Sequence, residues 1–261
     1  MSLTGKTKAS TYKDLLQMNN SNSGVDATTR NVVDGEGTSS AISLSDDQLV
    51  ITPKNADGTA ILRVTDKDSN TLLAVDSSND VVKANGNAVN TNIKEFFMNS
   101  SSAFPTSADT WTALFHGNAR TVMEVQGGGG ATPNTGFMIG TTADDMVGVM
   151  WYVPFDITID SCHVWFGADA ASGDSVKFSV MSYTVDRANG STGGDLSSGV
   201  ENCVSPSEIL GQGYEQSYHQ SLTISTADVA AEKAIVAFVH QNGTNSDLTV
   251  NMQLVYHLRS T

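Results

Sequence analysis

The sequence predicts a mainly β protein: an extended amino-terminal arm, a short segmented β stem shared by three copies, and a carboxyl-terminal antiparallel β-sandwich of jelly-roll type. Three observations predict it. Ser and Thr fill 57 of the 261 positions, and with 23 Gly they leave little of the Ala/Leu/Glu/Lys mixture that long helices favour. Before about residue 100 the apolar residues come in short clusters separated by Asn, Asp, Ser and Gly. Past residue 105 they alternate with polar ones, the two-residue period of a strand with one buried face.

Charge narrows the class of partner. There are 14 Lys and Arg against 28 Asp and Glu, a net charge of −14 and a pI near 4.5. That balance argues against a phosphate-binding surface and hence against a nucleic-acid partner. No apolar run approaches the roughly 18–20 residues that span a bilayer, so membrane insertion is not expected. The opening residues, Met1 to Lys6, lack the apolar stretch of a signal peptide. Two cysteines, Cys162 and Cys203, are too few for a disulfide framework or a four-ligand zinc site. Residues 1–100 hold 9 basic and 12 acidic side chains, and residues 101–261 hold 5 and 16. With the change in apolar pattern this places a boundary near Asn99–Ser102 and gives three segments: an arm at 1–45, a stem at 46–98 and a head at 105–261.

In the arm, Tyr12–Met18 is the one compact apolar cluster, long enough for a turn or two of helix that would not be stable alone. Asn19–Gly24 and Val33–Gly37 are turn-forming compositions. So polar a segment cannot offset its own ordering entropy. It is either a disordered tail or an arm that orders on another protein; the expectation adopted is docking, with Tyr12, Leu15, Leu16 and Met18 as its anchoring residues.

The stem reads as strands of three to six residues joined by polar turns: Gln48–Thr52, Ala60–Thr65, Thr71–Asp76 and Val81–Lys83, followed by Asn85-Gly86. Leu62 and Val64, then Leu73 and Val75, share one face by strand alternation. Each unit supplies two or three large apolar side chains, too few for a core in a single copy. Packing three copies around an axis joins the thin stripes into one column, with Leu62, Val64, Leu73 and Val75 as its core; a hairpin packed on the rest of the same chain is the alternative. Asp66–Asn70 mimics the start of a calcium loop, but Thr71 and Ser77 stand where the turn glycine and bidentate glutamate belong, so a hairpin turn is expected and no metal.

In the head, Leu248, Val250, Met252, Leu254, Tyr256 and Leu258 alternate with Thr249, Asn251, Gln253, Val255 and His257, one long strand with one apolar face. Val176–Val180, Thr112–His116, Arg120–Val125, Gly136–Gly140, Gly148–Val153, Ile157–Phe166, His219–Ile224 and Lys233–Gln241 bring the total to about nine strands without a convincing amphipathic helix. Many strands with polar turns indicate an antiparallel sandwich.

The lead Thr11–Gln17 with its Asn/Ser-rich continuation, and the stretch Leu72–Val82, resemble virion structural proteins of tailed bacteriophages, of the fibre and decoration type. The run Ala234–Gln241, the turn 242–247 and the long final strand are similar to the closing hairpin of phage jelly-roll domains. The resemblance implies localisation to the virion: an amino-terminal anchor on capsid or tail proteins, a short trimeric stem and a displayed sandwich.

No catalytic signature stands out, and no cofactor is expected. The five histidines (His116, His163, His219, His240 and His257) have no metal-ligand spacing, and Cys162 and His163 fall on opposite faces of a strand. The carboxylate pairs Asp46-Asp47 and Asp144-Asp145 read as solvated turns, which leaves a polysaccharide-cleaving enzyme a distant third. The rival reading is a receptor-binding head that takes cell-surface glycans, with Trp151, Trp165, Tyr214 and Tyr218 as candidate contacts, since sugars stack on aromatic faces and hydrogen bond to Asn, Asp and Gln.

Overall fold

The computed structural model describes residues 13, 15–21, 23–104, 109–115, 127–137, 143–168, 175–188, 190–210, 216–242 and 246–259. The chain divides into two compact units, Met1–Asn90 and Thr91–Thr261.

The first unit holds two four-stranded antiparallel meanders. One runs β1 (Gln17–Met18), β2 (Arg30–Val33), β3 (Ser39–Leu44) and β4 (Leu49–Ile51), paired in that order. The other runs β5 (Leu62–Thr65), β6 (Thr71–Asp76), β7 (Val81–Ala84) and β8 (Asn87–Ala88), again in sequence order. Short polar side chains shape the turns. The Asp66 carboxylate accepts the backbone N–H groups of Asp68 and Asn70, both at 2.9 Å, so the calcium-like loop spends its leading carboxylate on a hairpin turn. Asn85 and Gly86 carry φ of +48° and +81°, both central positions of a type I′ turn between β7 and β8. Asp76, buried at the end of β6, accepts from Lys83 Nζ at 2.8 Å and from Asn79, which ties the β6–β7 hairpin together.

One expectation for the front of the chain needs correction. Residues 30–44 are not an extended arm: β2 and β3 pair with each other, and β3 pairs onward with β4, so the expected limit at residue 45 cuts a hairpin. Backbone pairing, which composition does not report, orders this polar stretch. At the described end of the Tyr12–Met18 cluster, Gln17 and Met18 pair as a strand with Val33 and Val32, in keeping with a helical turn too short to be stable alone.

The second unit begins with β9 (Thr91–Phe104), a single strand running through the serine-rich stretch read as a boundary. It pairs with β20 (Ser246–Leu258) from Thr91↔His257 to Phe104↔Ser246, and that long ladder overrides the local turn composition. The stem limit at 98 and the head start at 105 therefore both move, to the Asn90–Thr91 junction. The remaining elements are β10 (Thr110–Ala113), α1 (Ala143–Val149), β11 (Met150–Val153), β12 (Ile157–Ala168), β13 (Ser175–Val185), β14 (Leu196–Val204), β15 (Ile209–Leu210), β16 (Gln216–Ser221), β17 (Thr223–Ile224), β18 (Asp228–Val229) and β19 (Lys233–Gln241). Helix α1 replaces the start of the strand expected at Gly148–Val153; Met146 and Val149, three residues apart on one face, are both buried. The expected strand Arg120–Val125 lies outside the described residues.

Two antiparallel sheets result. One has the order β16-β12-β20-β9, with β18 beside β12; the other has the order β10-β19-β13-β14-β17, with β11 on β19 and β15 on β13. Numbering the eight principal strands by chain position, the pairs are first with last (β9·β20), second with seventh (β10·β19), third with sixth (β12·β16) and fourth with fifth (β13·β14). Facing side chains of the two sheets fill one core, with Phe96, Val164, Phe166, Met252 and Leu254 from one and Phe178, Val180, Ile235 and Val239 from the other. A second core lies on the opposite face of β13 and β19, where Tyr183, Val236 and Phe238 pack with Trp111, Phe115, Met146 and Leu196. Covered on both faces, β19 is buried from Ala234 to Gln241, which explains its continuous apolar run where β20 alternates.

Candidate functional site

The two units differ most in what they leave uncovered. Among the described residues, four apolar side chains are buried in the first unit (Val32, Val33, Ala74 and Val81) against thirty-four in the second. The residues expected to form the stem core do meet: Leu62 is opposite Val75 and Val64 opposite Leu73, with Val82 and Ala84 of β7 next in the same rows. These six make a wholly apolar patch across three strands, and none of them is buried. Leu62 keeps 37% and Val64 46% of its surface exposed. The other face of the same strands carries Arg63, Ala74, Asp76, Val81 and Lys83, and closes on the Asp76–Lys83 ion pair. Hydrogen bonds from Lys83 and then Asn79 hold the Asp76 carboxyl below its usual range.

Of the expected anchoring residues, Leu15 and Leu16 are exposed and Met18 is half-buried in β1. Tyr12 lies outside the described residues.

The candidate glycan contacts are scattered. Trp151 sits at the fringe of the core, its ring 5.1 Å from that of Tyr256 and 5.7 Å from Lys94 Nζ. Tyr218 stacks on Phe166 at 5.0 Å and also packs against the core. Tyr214 lies outside the described residues. Of the three that are described, Trp165 alone faces outward, 57% exposed, near the middle of the outer face of the β16-β12-β20-β9 sheet.

Its neighbours follow from register. His219 and Asn251 lie directly opposite Trp165 on the two flanking strands, with the His219 ring 4.7 Å from the indole. One row along stand Ser221, His163 and Gln253; one row the other way stand Ser217, Gly167 and Thr249. Gly167 has no side chain, so a shallow depression opens beside Trp165, bordered by Ser217, Thr249 and Asn251. The His163 and His219 rings stack at 5.8 Å, and His163 Nδ1 lies 3.1 Å from Ser221 Oγ. Within these three rows on β12, β16 and β20 there is an indole, imidazoles, amides and hydroxyls, and no carboxylate or ammonium.

A polar cleft that sequence reasoning did not single out lies at the end of the other sheet, lined by Asp109, Ser175, Lys177, Glu208, His240 and Asn242. His240 and Lys177 are cross-strand partners, Lys177 pairs with Glu208 at 3.1 Å, and both His240 and Lys177 lie against the Trp111 ring. Burial, and then the charge of Lys177, push the His240 imidazole down, towards its neutral form. The lysine of an alternating strand and one histidine of a buried run gave no sequence signal, because β10, β13 and β19 join only through long-range pairing.

Among the described residues no group of three or more His, Cys, Asp or Glu side chains is placed to hold a metal ion, and no helix is long and apolar enough to cross a membrane. Asp144 and Asp145 fall in α1.

Comparison with protein-family models and with curated proteins finds no match to this chain.

Proposed function

We propose that this chain is a non-enzymatic structural protein of a tailed-bacteriophage virion, a capsid-decoration or fibre component. It docks on capsid or tail proteins through its amino-terminal segment, associates as a homotrimer through β5–β7 and displays a jelly-roll domain built from residues 91–261. The observation that carries this reading is the uncovered six-residue apolar face, in a unit with four buried apolar side chains among its described residues. A unit so poor in core gains its stability from neighbours. The nested pairing of eight strands, first with last through fourth with fifth, supports the jelly-roll assignment, since that fold is an eight-stranded double sheet of Greek keys. Antibody raised against residues 91–261 should label the surface of intact particles in electron micrographs, and particles that never bind it would overturn the virion assignment.

A second reading, a glycan-binding receptor-recognition head, is favoured by one observation: the exposed indole of Trp165, flanked on the neighbouring strands by the hydrogen-bonding side chains of His219, Asn251, Ser217 and Thr249. Neutral sugars put their C–H faces on such a ring and their hydroxyls on flanking Asn, Thr, Ser and His. Saturable binding of the full chain to neutral oligosaccharides on an array, lost in Trp165→Ala, is the expected result. An array without signal at any concentration would remove this reading and leave the structural one standing.

A further inference from the structure

The described chain holds two buried thiols, and the fold brings them to one corner. Cys162 lies on β12 and Cys203 on β14, in opposite sheets, and both point into the shared core. The sheets converge where the chain steps from β16 to β17. Ser221 pairs with His163 on the first sheet, the Leu222 N–H donates to the Cys162 carbonyl at 2.9 Å, and Ile224 then pairs with Cys203 on the second. The four residues 221–224 thus bridge the backbones that carry the two cysteines, and both side chains are buried in the same core.

We propose that Cys162 and Cys203 are the site of an inter-sheet disulfide, a covalent staple across this corner that forms when the chain folds in the presence of an oxidant. With glutathione disulfide as oxidant the steps balance. The thiolate of one cysteine attacks a glutathione sulfur and expels glutathione thiolate, leaving a mixed disulfide. The second cysteine, as thiolate, attacks the protein sulfur of that mixed disulfide and expels the second glutathione. Two protein thiols lose two electrons and two protons, and one glutathione disulfide becomes two glutathiones. The neighbouring Cys203 and burial raise the Cys162 thiol well above its ordinary value, and both sulfurs are shielded from an oxidant in the folded chain, so exchange there is slow. Oxidation therefore accompanies folding instead of following it. The bond closes a loop of roughly 40 residues and constrains the unfolded chain accordingly.

The test refolds the full chain in a glutathione redox buffer and, separately, in reductant. After denaturation and alkylation, the oxidised sample should show no free thiol by mass spectrometry, and a tryptic peptide pair joined through Cys162 and Cys203 within one chain. Its melting temperature should rise by roughly 5–15 °C over the reduced sample. Cys162→Ser and Cys203→Ala should each abolish the difference between the two conditions, a comparison made within each variant and so independent of how well it folds. Two alkylatable thiols per chain after oxidative refolding, a cross-link only between chains, or an oxidised form that melts lower than the reduced one would each overturn the proposal.

Discussion

Replacing Val64 by aspartate probes the apolar face of β5–β7 at its most exposed strand. Val64 lies opposite Leu73 and keeps 46% of its surface open; Leu62, two residues before it, keeps 37%. Burying a whole Leu or Val side chain contributes about 1.5–3 kcal/mol, so covering what these two still expose contributes roughly 1 kcal/mol each. Leu73, Val75, Val82 and Ala84 are half-buried already, and the whole face contributes roughly 3 kcal/mol per chain. Val64→Asp removes about 1 kcal/mol of that and sets a carboxylate where, in the proposed trimer, each copy meets the next. Desolvating it costs at least about 2 kcal/mol more, so each chain should hold on roughly 100-fold more weakly. Arg63→Asp, on the opposite face of the same strand, is the control, since it changes charge by more without touching the patch. Sedimentation equilibrium from the micromolar to the millimolar range should show trimer building up with concentration for the parent chain and for Arg63→Asp, and monomer throughout for Val64→Asp. A parent chain that stays monomeric, or two variants that behave alike, would refute the reasoning.

Three further outcomes are expected. The Asp76 carboxyl is held below its unfolded value, chiefly by Lys83, so its stabilisation is complete above about pH 4 and lost as pH falls through the folded value; His240, also depressed, withdraws its share in a separate window below about pH 6.5. Urea melts at descending pH should show both losses, with Asp76→Asn flattening the acid one and His240→Gln the milder one. Gly127→Ala would place a methyl 2.8 Å from Phe238 Cε1 and 3.0 Å from Trp111 Cβ, so the second unit should lose about 1–3 kcal/mol; an unchanged denaturation midpoint would show that the second core is looser than the packing implies. Trp165→Ala, on an open face, should leave the melting curve within about 0.5 kcal/mol of the parent while deleting an exposed indole from the fluorescence spectrum, and a large destabilisation would mean that the ring is core.

The β character of this protein was legible wherever one strand face is wet, because burial on one side leaves a two-residue period: β20 could be placed from Leu248 to Leu258 almost residue by residue. The hairpins of the first unit were legible for a second reason, since turns such as Asp66–Asn70 and Asn85-Gly86 depend on residues adjacent in the chain. The apolar face of Leu62, Val64, Leu73 and Val75 combined both signals. Long-range pairing carried no such mark. Ser100–Ser102 have the composition of a linker and lie within β9, because a ladder with β20 outweighs local preference. The meeting of Cys162 with Cys203, the surroundings of Trp165 and the His240–Lys177 cleft likewise came from tertiary structure alone. The sequence determined which side chains are apolar, which alternate and where the chain turns. Which strand lies beside which, and hence which thiols, rings and charges become neighbours, depends on contacts between residues far apart in the chain, and local composition does not encode them.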